Sequence, residues 1–116
     1  MFKSNLLYFF NFVIMKGIEL TYRVKESVRS FDPQAKVILF GSRARGDNNK
    51  ASDWDFLILT SKYVDEKAKR SIRDRLIDTE LDAEEVISTI IFSQDKWKDY
   101  RITPLYQNIA KEGVEL

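Results

Sequence analysis

Between Phe40 and Phe56 the chain reads FGSRARGDNNKASDWDF, so Gly41-Ser42 is followed by ten residues, Arg43 to Ser52, and then by Asp53 and Asp55 one residue apart. A glycine lets the backbone turn sharply and approach a ligand, a serine adds a hydroxyl, and the amides that follow add N–H donors. Phosphate oxygens suit such groups. Arg43 and Arg45 add guanidinium groups whose planar fork matches phosphate geometry. Two aspartates alternating on a strand share one face, about 6–7 Å apart along the chain. Paired carboxylates chelate hard cations, and magnesium commonly binds through one or two of them together with substrate phosphate. Taken singly, a Gly-Ser turn, a polar Arg-x-Arg and an Asp-x-Asp are ordinary surface chemistry. Together, at this spacing, they describe a rim of anion donors facing a pair of cation ligands.

Composition narrows the chemistry further. The 116 residues carry 19 Lys+Arg against 18 Asp+Glu, so no broad positive field is present to hold a long nucleic acid by counterion release. Extended nucleic-acid binding is not expected. Histidine and cysteine are both absent, which excludes Ser-His-Asp catalysis, thiolate nucleophiles and the usual zinc sites. Catalysis would rest on carboxylates, hydroxyls, Lys/Arg and oxygen-liganded cations. The lack of cysteine fits a reducing compartment, and the expected location is the cytoplasm. The apolar run Leu6 to Ile14 is too short to cross a bilayer, which takes about 20 residues. It reads as an N-terminal extension, residues 1–16, packing on the domain as a helix or strand.

These residues need elements to position them. Leu20, Val24, Val28 and Phe31 recur at helical spacing, and Asp32-Pro33 ends that helix. Lys36–Phe40 is a β-branched apolar run, the first strand, and Asp53–Thr60 is the second. The loop between them is expected to open with a helical turn. A single charged helix is predicted over Val64–Leu81, a third strand over Val86–Phe92, a short turn over Ser93–Trp97, and a last helix over Pro104–Glu112, capped by Thr103 and ended by Gly113. The order implies one α/β or α+β domain over residues 1–116, a small mixed sheet flanked by helices. Strands one and two pair antiparallel, which brings Ser42, Arg43 and Arg45 beside Asp53 and Asp55. Trp54 and Phe56 then face the core.

With those residues in place, the chain resembles the nucleotidyltransferase superfamily related to DNA polymerase beta, most closely its minimal single-domain members. The family pattern of Gly-Ser, ten residues and Asp-x-Asp is met by Gly41-Ser42 and Asp53-Trp54-Asp55, with Ala44-Arg45-Gly46 and Ser52 also matching. The resemblance implies a magnesium-dependent transfer of a nucleoside monophosphate, AMP from ATP, to a hydroxyl. Asp53 and Asp55 would bind two Mg2+ ions, Gly41 and Ser42 would hold the distal phosphates, and Arg43 and Arg45 would support them. Active members usually carry a third carboxylate on the next strand. Ser88 occupies the nearest place and is not one; Glu85 is the tentative substitute, beside Glu84 at a corner that solvent alone would explain. Minimal members are often paired with a small helical partner protein in toxin-antitoxin fashion, so the acceptor is expected on such a partner. The alternative is a catalytically weak, antitoxin-like nucleotide-binding module that masks that partner.

Overall fold

In the computed structural model the backbone is described for residues 2–116, and the side chains for Leu7, Tyr8, Asn11 and all residues from Val13 onward. The elements are α1 (Phe2–Phe31), β1 (Lys36–Phe40), α2 (Ser42–Arg45), β2 (Trp54–Thr60), α3 (Glu66–Arg75), α4 (Ile77–Ala83), β3 (Ile87–Ser93), α5 (Gln94–Trp97), α6 (Pro104–Glu112) and β4 (Val114–Glu115). The fold is mixed α+β. Four strands form one sheet in the order β3-β2-β1-β4.

β1 and β2 pair antiparallel, with Phe40 opposite Asp55, so the end of one meets the start of the other. The crossover through α3 and α4 makes β3 parallel to β2 and sets Ser88 beside Asp55. Because side chains alternate, the sheet is covered on both faces. Phe56 and Ile58 pack against Leu20, Val24 and Val28 of α1 and Ile72 and Leu76 on the other helices. Leu57 and Leu59 pack against Trp97 and Ile109 on the opposite side.

The N-terminal run is helical and continues α1, and of its described side chains Leu7, Tyr8, Val13 and Ile14 are exposed. Two expectations change. The expected single helix over Val64–Leu81 breaks at Leu76, whose N–H bonds to the Arg73 carbonyl three residues back. That tighter turn rotates the second half, so Thr79 is buried while Ile77 and Leu81 face out, and both halves wrap α1. Finally, β4 adds a fourth strand of two residues, pairing Glu115 with Ile38 and Val114 with Leu39. No helix among the described residues is long and apolar enough to cross a membrane.

Asp32 ties α1 to the far end of β2. Its carboxylate accepts from the Ser61 N–H at 2.7 Å, from the Ser61 hydroxyl at 2.9 Å and from the Gln34 N–H at 3.1 Å. Burial alone would raise its pKa, but these donors, with Lys62 nearby, hold it below the ordinary carboxylate value. A lowered pKa contributes stability that is present above the unfolded-state value and disappears as pH falls through the folded one. Asp32→Ala is therefore expected to destabilise the protein by about 1–3 kcal/mol at neutral pH. Denaturation of both proteins across pH should show that difference shrinking in acid.

Candidate active site

The Gly-Ser turn begins where β1 leaves the sheet. Gly41 has φ 75°, a left-handed value that favours glycine, and a Cβ there would collide with the Asp55 carboxylate. The backbone thus lies directly against that carboxylate. The Gly41 carbonyl accepts from the Ala44 and Arg45 amides at 3.1 and 3.0 Å, winding Ser42–Arg45 into the expected helical turn. A turn wound this way leaves its first amides without partners inside the helix.

Asp53 is exposed and Asp55 half-buried, and the two share the sheet face that carries α6. Burial first, and then the negative charge of Asp53, push the Asp55 pKa up; Arg45 opposes this and Glu112 adds to it. Carboxylates crowded without a matching positive charge, with oxygen as the only donor atom, fit a hard divalent cation such as magnesium. Among the described residues, no group of three or more acidic side chains is arranged to hold a metal ion.

The predicted residues divide between two faces. Gly41, Ser42, Asp53, Asp55 and Arg45 gather at one end of the sheet. Arg43 turns away: its guanidinium lies 4.6 Å over the Trp54 ring, donates to the Ser52 carbonyl at 3.1 Å and sits 3.6 Å from Glu85. Glu85 is on that Trp54 side as well. The reason is alternation: with Asp55 beside Ser88 and Trp54 beside Ile87, residue 85 falls on the face opposite the aspartates. The tentative third carboxylate is therefore Arg43's ion-pair partner and is not beside the Asp pair. A cleft of about 610 Å³ opens on this side, with Arg43, Trp54 and Glu85 in its wall.

Glu112, at the end of α6, was not among the residues expected here. Its carboxylate accepts from the Gly41 N–H at 3.2 Å and from Arg45 Nη1 at 3.0 Å, while Arg45 Nε reaches Asp47 at 3.1 Å. One signal did exist in the sequence: a glutamate in the last turn opposes the helix dipole, so its place calls for another reason.

Asp55 carries a cost that its neutral isostere would lack. A raised carboxyl pKa means that the ionised side chain destabilises the fold above the unfolded-state pKa, and that this penalty fades as pH falls and both states become protonated. Asp55→Asn is expected to melt a few degrees higher than wild type at neutral pH without added metal. Scanning calorimetry should show the gain vanish toward pH 3–4, in about the range of ordinary carboxyl titration.

Comparison with known proteins finds relatives in sequence and in fold. A candidate protein adenylyltransferase of Methanocaldococcus jannaschii is 35% identical over 104 residues, covering 88% of this chain and all of that protein. A crystal structure of a toxin-antitoxin with AMP-PNP superposes with a TM-score of 0.61 at 19% identity, over 81% of this chain and 69% of that one, a likeness of fold. The family model for the nucleotidyltransferase domain matches residues 22–114, from within α1 to the first residue of β4. The chain is a member of the nucleotidyltransferase domain family.

Proposed function

We propose that this domain transfers AMP from ATP to a hydroxyl on a partner protein and releases pyrophosphate. The observation that carries the reading is the contact of Gly41 with Asp55, which sets a phosphate-binding turn against paired carboxylates. In the reaction the acceptor oxygen bonds to the α-phosphorus, the bond from that phosphorus to the bridging oxygen breaks, and the acceptor's proton is lost to water. Gly41 and Ser42 hold the distal phosphates, and Arg45 balances their charge. Asp53 and Asp55 are the residues that hold Mg2+, which when bound neutralises phosphate charge and orients the reacting oxygens. Arg43 positions the Asp pair from behind: it binds the carbonyl of Ser52, the residue before Asp53, and anchors it to Trp54 and Glu85.

The protein acceptor and the adenylyl group are supported by the name of the archaeal relative, which this chain spans in full. ATP and a paired protein are supported by the fold neighbour's AMP-PNP and toxin-antitoxin context. Asp53 is exposed, so an acceptor that supplies its own recognition surface can reach the site.

A second reading keeps nucleotide and magnesium binding and replaces transfer with masking of the partner. Its support is the lack of a three-carboxylate cluster among the described residues. The two separate in one experiment, in which α-labelled ATP and magnesium are incubated with the domain and the co-expressed product of its neighbouring gene. Transfer predicts label on that protein, reduced about a hundredfold or more by Asp55→Asn. If the wild type binds ATP and the neighbour yet leaves it unlabelled, masking is the function.

A further inference from the structure

Glu112 has no part in the transfer as described, yet it occupies the place that a phosphate would need. Its two carboxylate oxygens take the Gly41 N–H and the Arg45 guanidinium, a backbone donor and a cation beside the Gly-Ser turn, and Arg45 also reaches Asp47. A carboxylate satisfies the same donors as a phosphate oxygen, and both cannot hold them together.

The placement is set by the fold. β4 pairs antiparallel with β1 at Ile38–Glu115 and Leu39–Val114, and continuing that register by two residues brings Glu112 opposite Gly41. Gly113 makes the turn between α6 and β4. A Cβ there would strike the Ile109 carbonyl and the Ile38 side chain, so the helix end can press against β1 only with glycine at this position. Glu112 is thus delivered by a backbone path. Its side chain is largely buried at 19% exposure, and its charge lies within reach of Asp55. The last turn of a helix disfavours a negative charge, so the contact with Gly41 and Arg45 is what accounts for it.

We infer that Glu112 is a built-in competitor for the distal-phosphate subsite, a residue that sets nucleotide affinity because ATP must displace it from Gly41 and Arg45. This rests on the reading that Gly41 and Ser42 receive the distal phosphates. The competition acts on the phosphate chain alone. AMP has no distal phosphates, so its affinity does not depend on where Glu112 sits.

The apparent affinity of a site that is open only part of the time falls by the open fraction. With Glu112 in place nine-tenths of the time, its removal tightens ATP binding about tenfold. The test is calorimetric titration of the full chain with ATP and with AMP, in the presence of magnesium, for wild type, Glu112→Ala and Glu112→Gln. Glutamine can still accept from the Gly41 N–H but lacks the charge, so it carries the test with a smaller shift should the alanine variant fold poorly. Tighter ATP with unchanged AMP is the expected result. Unchanged or weaker ATP binding in both variants overturns the inference and makes Glu112 a structural tie for α2; equal tightening of ATP and AMP overturns it in favour of general charge relief. If wild type and variants alike fail to bind ATP, the phosphate-binding reading of Gly41 falls and the inference falls with it.

Discussion

The site depends on one close approach, the Gly41 backbone lying against the Asp55 carboxylate with no room for a Cβ. On the proposed reading, an amide that receives phosphate and a carboxylate suited to a cation must be neighbours if one nucleotide is to touch both. Antiparallel pairing of β1 with β2 provides this, since it sets the end of one strand beside the start of the other. The positive φ at Gly41 then turns the chain into α2. A residue with a Cβ would be strained at this φ and would force the Asp55 carboxylate or the turn to shift, so the close approach depends on glycine.

Electrostatics follow from that crowding. Asp53 and Glu112 each bring a negative charge within range of Asp55, with Arg45 as the nearby cation, and Arg45 is shared with Asp47. Burial first, and then this crowding, raise the Asp55 pKa, so its ionised form is disfavoured. Binding sites often hold such unfavourable charge because a bound ligand relieves it, and in the proposed function that ligand is magnesium with the ATP phosphates. On that reading stability and function pull in opposite directions at this residue.

The remainder of the sheet is a two-sided support. Phe56 and Ile58 face α1 and Leu57 and Leu59 face α5 and α6, all buried, so β2 is held on both faces immediately after Asp55. Rigid packing there keeps the carboxylates in place while the polar Asn48–Ala51 stretch of the preceding loop stays exposed. Arg43 closes the arrangement from the other side, joining α2, the residue before Asp53 and the segment that leads into β3. Its buried Nε has no hydrogen-bond partner, which is consistent with a guanidinium held mainly by the Trp54 ring and its two flanking contacts.

Much of this was legible in the residues. Strand alternation put Asp53 and Asp55 on one face and Trp54 on the other, the Gly-Ser pair marked the turn that ends β1, and Thr103, Pro104 and Gly113 bounded α6 to the residue. These are local properties, carried by neighbours in the chain. What could not be read depends on register between distant segments. The direction of Arg43 and Glu85 followed from which residue of β3 stands beside Trp54, and a shift of one residue would have reversed it. The break at Leu76 came from two half-helices wrapping α1, which the continuous apolar stripe did not reveal. Glu112 reaches Gly41 from 71 residues away because a two-residue strand, too short to show any alternation, pairs with β1. Local patterning chose the elements and the chemistry, whereas long-range pairing chose which charges meet, because contact between distant residues depends on how the whole sheet is assembled.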